Sequence, residues 1–180
     1  TVRPSRKEDS KSWMAMRYLV SAFLSFLLMS RVHAEAKFDF ATMPGKLPKE
    51  VRPTEYTIRI APNLDKLTFS GSETIKLRAE KAVAKLVLNA LEMSITGASV
   101  DGQALPKKLI ALNAGEQTLT LTLPNELTAG EHELALQFSG KINPQGQGLF
   151  YARYREQGTN EKKIMLGTQF EATDARRMFP

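Results

Sequence analysis

Few residues in this sequence have the type and spacing that chemistry needs. It holds no cysteine and only two histidines, His33 and His132. That removes a disulfide framework, a thiolate nucleophile and every cysteine-based metal site. A catalytic zinc ion takes two or three histidine ligands close together, so this stretch does not build such a site alone. His132, within Glu131-His132-Glu133, could form one corner of a metal site. The plainer reading is an exposed strand-edge histidine between two solvated acids, and the lone ligand favours it. Gly140 to Gly148 lacks the spacing and the following helix of a phosphate loop, and no Gly-x-Ser-x-Gly elbow occurs.

A second polar group lies near the C-terminal end. Gln169 and Glu171 sit close to a strand end, and by residue type alone they read as a solvated pair, since exposed Gln and Glu are common. Asp174, Arg176 and Arg177 either fasten a loop by bidentate pairing or form an exposed cluster; the fastening role is preferred. Phe150, Tyr151 and Tyr154 read as core or edge packing rather than a platform for a ligand.

The elements that must hold these residues are strands. Tyr56, Ile58 and Ile60 alternate with Thr57 and Arg59. Leu119, Leu121 and Leu123 alternate with Thr118, Thr120 and Thr122, and Leu134, Leu136 and Phe138 with Glu133, Ala135 and Gln137. A period of two puts each apolar set on one buried face and its polar partners on a wet one. Weaker strands are expected at 69–79, 85–89, 93–100, 108–112, 148–154 and 163–169. Turn signals separate them at Pro62-Asn63, Asp101-Gly102, Asn113-Ala114-Gly115, Pro124-Asn125 and Ala129-Gly130. Short strands with turns at this interval predict an all-β, antiparallel sandwich. No convincing helical period appears after residue 40.

The charge of +6 is concentrated at one end. Residues 1–34 hold six bases (Arg3, Arg6, Lys7, Lys11, Arg17, Arg31) and two acids (Glu8, Asp9), which leaves +2 for residues 35–180. No basic face is visible there, so no nucleic-acid partner is expected. From Met16 the chain reads as a secretory signal. Arg17 is followed by an apolar run from Tyr18 to Met29, then Val32 and Ala34 stand at the small-residue positions of a cleavage site. The run is about twelve residues against the roughly 20 of a spanning helix. The expected organisation is upstream or artefactual sequence at 1–15, with Met14 or Met16 as the start, a cleavable signal at 16–34 and a linker at 35–46. A β domain follows at 47–180. Export to the periplasm or medium, with cleavage near Ala34 and no stable membrane insertion afterwards, is the matching expectation.

Two stretches carry a resemblance. One is Leu47-Pro48-Lys49-Glu50-Val51-Arg52-Pro53-Thr54-Glu55-Tyr56, with Phe69-Ser70-Gly71 and Leu88-Asn89-Ala90 beyond it. The other runs Thr168-Gln169-Phe170-Glu171-Ala172-Thr173-Asp174-Ala175-Arg176-Arg177-Met178-Phe179-Pro180. Together they resemble the amino-terminal domain of the gluzincin zinc aminopeptidases, the aminopeptidase N and leukotriene hydrolase family, over roughly residues 46–180.

The resemblance implies a saddle-like β domain that packs on a separate zinc-bearing catalytic domain. It further implies that Gln169 lines the first specificity pocket and that Glu171 binds the free α-ammonium group of a peptide. Relatives continue past the position of Pro180 with Asp-Glu-Pro, then Gly-x-Met-Glu-Asn and His-Glu-x-x-His, which would supply the zinc and its general base. The expectation is therefore the front domain of an exported aminopeptidase, without a metal or catalytic residue of its own and inactive in isolation. The alternative is a stand-alone exported β-sandwich that binds a partner.

Overall fold

The computed structural model describes residues 45–159 and 161–180, and the expected signal and upstream segments lie outside them. Ten strands account for the described chain: β1 (Val51–Asn63), β2 (Thr68–Ala79), β3 (Val83–Asn89), β4 (Met93–Val100), β5 (Gln103–Ala104), β6 (Ile110–Asn113), β7 (Thr118–Leu127), β8 (Gly130–Lys141), β9 (Gly148–Arg155) and β10 (Lys162–Gln169). The helical pieces among the described residues are two short 3-10 turns, Lys107–Leu109 and Asp174–Arg177. None of the described helices is long and apolar enough to cross a membrane.

The strands form a five-stranded sheet in the order β1-β2-β8-β4-β5, a three-stranded sheet β3-β7-β6 and a hairpin β9-β10. All strand pairs are antiparallel. The alternation on β7 and β8 points inward as expected. Leu119, Leu121, Leu134, Leu136 and Phe138 are each at most 2% exposed and join Ile75 of β2 in one core. Each such side chain removed from water contributes about 1.5–3 kcal/mol before the entropy of ordering is set against it.

Register in the large sheet is locked by two reciprocal aromatic–glycine pairs. Phe69 faces Gly140 and Gly71 faces Phe138 across the β2–β8 ladder. A Cβ at Gly140 would stand 2.6 Å from the Phe69 ring, and one at Gly71 would overlap the Phe138 ring. The two rings meet edge to face at 6.5 Å. The absent side chain of each glycine is thus the seat of the facing ring, and a slip of one residue would unseat both. The hairpin repeats the device, with Phe150 of β9 lying over its partner Gly167 of β10.

Three expectations are corrected. Tyr56 and Ile58 share a face, but they are 44% and 36% exposed. β1 is the edge of a five-stranded sheet, and a three-stranded sheet does not reach across it. Pro124-Asn125 is not a turn; β7 runs through it to Leu127. These residues fall where the β3–β7 register shifts between Val83 and Lys85, and a bulge tolerates the missing proline N–H. Finally, 108–112 is only partly a strand, because the Lys107–Leu109 turn comes first and β6 begins at Ile110.

Candidate functional site

The site follows from how β10 ends. Gln169 is its last residue, paired to Gly148 of β9. The chain then turns through 171–173 into the Asp174–Arg177 turn. The Glu171 N–H donates to Gln169 Oε1 at 2.9 Å, so the two expected substrate residues form one tight bend. The Glu171–Ala172 peptide bond within it is cis. Both side chains are exposed, and the Glu171 carboxylate makes no ion pair among the described residues. An exposed carboxylate is free to accept hydrogen bonds, and those from a cationic group are the strongest.

Behind the bend the chain is tied down. The Asp174 N–H donates to the Phe170 carbonyl at 3.0 Å, and the rings of Phe170 and Phe179 meet edge to face at 5.9 Å. Arg176 Nε donates to the Thr173 carbonyl at 2.8 Å and its Nη1 to Gln117 Oε1 at 3.1 Å. The Arg176 carbonyl accepts from Leu91 N–H at 2.8 Å. Arg177 pairs with Asp174 at 2.9 Å and with Glu92 at 2.5 Å. Those two carboxylates raise the affinity of the Arg177 guanidinium for its proton, the Glu92 hydrogen bond most. Asp174, Arg176 and Arg177 therefore fasten the segment, as their types suggest.

His132 is not an exposed strand-edge residue. Its side chain is 12% exposed; Nδ1 lies 2.7 Å from Asp101 Oδ2 and Nε2 lies 3.0 Å from the Thr128 carbonyl. Both partners accept hydrogen bonds, so the doubly protonated ring satisfies both contacts at once. The Asp101 hydrogen bond and then the Thr128 carbonyl raise its pKa. Asp101 Oδ1 also accepts from Glu133 N–H at 2.8 Å, so the three groups tie the Asp101-Gly102 turn to the start of β8. His132 is spent on this tie rather than on a metal. Among the described residues no group of three or more His, Asp or Glu could hold a metal ion, and a zinc site does not fit them.

Sequence reasoning missed Glu73. It is 3% exposed on β2, between Ile58 and Leu136 in the ladders, and neither carboxylate oxygen has a hydrogen-bond partner. Burial pushes its pKa up to about 8. The signal was present: Phe69, Gly71, Glu73, Ile75 and Leu77 occupy one phase of the strand, and only one of them is an acid.

Residues 52–180 match the Peptidase M1 N-terminal domain. Aminopeptidase 2 of Candida albicans is 36% identical over 135 residues, covering 74% of this chain and 14% of that protein. Aminopeptidase M1-C of Oryza sativa subsp. japonica is 36% identical over 136 residues, covering 76% and 15%. Aminopeptidase N of Acetobacter pasteurianus is 36% identical over 153 residues, covering 85% and 42%. The chain thus spans less than half the length of each of these relatives. With its core, its ladder and its closing segment all inside the matched range, this chain belongs to the Peptidase M1 N-terminal domain family.

Proposed function

We propose that this chain is the substrate-anchoring front domain of an exported zinc metallo-aminopeptidase, which removes N-terminal residues from peptides. One observation carries the reading: the bend in which Gln169 Oε1 holds the Glu171 N–H and leaves the Glu171 carboxylate exposed. An aminopeptidase must recognise a free α-ammonium group. A carboxylate meets it with a charge-assisted hydrogen bond, stronger than a neutral one. Once the amine is held, the first peptide carbonyl stands one residue away, which fixes where cleavage falls. Gln169, beside it on the same bend, lines the pocket for the first side chain.

The described residues supply neither a metal ligand set nor a general base for this reaction, so the zinc and the catalyst belong to a further domain on which this one packs. The exposed Tyr56 and Ile58 on β1 are consistent with such a neighbour, because large apolar side chains left open on a sheet favour being covered. The segment from Arg17 to Ala34 supports export.

The test is Glu171→Gln in the full-length protein, assayed on an aminoacyl substrate. Removing the anion from an amine contact is expected to lower kcat/KM about 10- to 100-fold. An unchanged kcat/KM would sink the assignment. N-terminal sequencing of the exported protein is expected to begin at Glu35; a retained Met16 would remove the cleavable signal.

A further inference from the structure

Glu171 is exposed, and its bond to Gln169 runs through its backbone N–H. The turn that follows the bend is tied on its other side. The Arg177 side chain, 18% exposed, spans Asp174 Oδ1 at 2.9 Å on its own turn and Glu92 Oε2 at 2.5 Å in the β3–β4 connection. Arg177 also backs onto Gly148. A Cβ at that position would stand 2.8 Å from Arg177 Cβ and 3.2 Å from the Asp174 carbonyl, and its φ is +62°. Gly148 is in turn the ladder partner of Gln169. Strand end, bend and turn therefore form a closed circuit, from Gly148 to Gln169, through Phe170 to the Asp174 N–H it accepts from, and by Arg177 back to Gly148. Glu92 anchors that circuit to the sandwich.

We propose that Arg177 is a positioning residue for amine recognition: by joining Asp174 to Glu92 it sets where the Glu171 carboxylate stands beyond the end of β10. This rests on the reading of Glu171 as the α-ammonium anchor. The guanidinium suits the task because its rigid fork reaches two carboxylates at fixed angles, whereas a lysine ammonium is a point charge on a flexible stem. A misplacement of about 1 Å at a binding group is enough to cost much of its effect.

The experiment measures binding of leucinol and of N-acetyl-leucinol, neither of which has a bond for the enzyme to cleave, to the full-length protein by titration calorimetry. The ratio of the two dissociation constants reads recognition of the free amine alone. A variant that merely loses folded protein changes the binding stoichiometry and leaves the ratio intact. Glu171→Gln is expected to reduce the ratio about 10- to 100-fold. Glu92→Gln, at a side chain 61% exposed and so harmless to folding, is expected to reduce it about 3- to 10-fold, as is Arg177→Lys. The Glu92→Gln/Glu171→Gln double variant is expected to match Glu171→Gln, since two residues acting through one contact are not additive. Ratios untouched by both Glu92→Gln and Arg177→Lys, beside a collapse in Glu171→Gln, would overturn the positioning role and leave the anchor standing. An additive double variant would overturn it as well, by placing the effect elsewhere. An intact ratio in Glu171→Gln would remove the anchor, and the positioning role with it.

Discussion

The sandwich and the closing segment treat a carboxyl group in opposite ways. Inside the sandwich the Glu73 carboxyl has no hydrogen-bond partner, and burial keeps its proton on up to about pH 8. In the closing segment Asp174, with a side chain 17% exposed, faces the Arg177 guanidinium. A buried charge must be neutralised or paired, and this chain does the first in its core and the second beside its candidate site. The contrast separates two jobs. The core is held by apolar burial and ring–glycine register, and needs no particular charge. The closing segment is held by directed bonds, and directed bonds fix the position of a side chain more closely than burial does.

The largest expected effect tests the core carboxyl. With a folded pKa near 8 against an unfolded value near 4.5, both states are protonated below about pH 4.5 and Glu73 carries no ionisation penalty there. As pH rises from 4.5 to 8 the unfolded chain releases the proton and the folded one keeps it, so stability falls. At about 1.4 kcal/mol per pH unit the loss is on the order of 5 kcal/mol over that window. Above pH 8 the slope vanishes. Glu73→Met should flatten the urea midpoint between pH 5 and 8 and raise it most at pH 8. Midpoints that stay parallel to those of the parent would show that Glu73 ionises freely.

Next come the packing variants. Leu136→Ala, at a site 1% exposed, should cost about 2–5 kcal/mol in urea unfolding. Gly71→Ala should cost about 1–3 kcal/mol by crowding the Phe138 ring. A Gly71→Ala protein with an unchanged midpoint would mean that the ring has room to move and that the register rests elsewhere. Arg177→Gln should cost less, about 1–2 kcal/mol, because it strands Asp174 but opens no cavity. The comparison is sharpened if core variants move stability and leave amine recognition alone, while Arg177→Gln weakens amine recognition at a smaller cost in stability.

The sandwich was legible because alternation on β7 and β8 reports the phase of every side chain directly. Phase is not coverage, however. The alternation on β1 is as regular as that on β8, yet Tyr56 and Ile58 stay open because the facing sheet has three strands against five. Pro124-Asn125 reads as a turn in the sequence because a proline usually interrupts a ladder, and nothing local announces the bulge that accommodates it. At the site, the type and order of Gln169 to Arg177 were readable, including the fastening role of the arginines. The Glu92 end of the tie was not, since the two residues lie on distant segments that only the fold brings together. Nor was the setting of His132, where a neighbouring acid suggested solvent and the Asp101 turn supplied a partner instead.

His132 offers the smallest effect and the finest test of the contrast, because it is a paired ion within the sandwich itself. Its folded pKa is raised by the Asp101 hydrogen bond first and the Thr128 carbonyl second. The tie is therefore at full strength below the unfolded value near 6.5, and it is lost as pH rises through the raised folded value. On the acid side Asp101 is held below its usual range, chiefly by the Glu133 N–H. Its contribution is present above about pH 4 and falls away as pH drops through the lowered value. Between those limits the pair should be worth about 1 kcal/mol, discounted because the Asp101 side chain is 46% exposed. Glu73 also loses stability over part of this range, so His132→Asn is best made in the Glu73→Met background. There the urea midpoint should fall by that small amount at pH 6 and converge with its parent as the pH is raised through the elevated folded value. A gap that persists unchanged at high pH would show the neutral imidazole holding the turn as well as the imidazolium does, and pairing would then matter only in the closing segment.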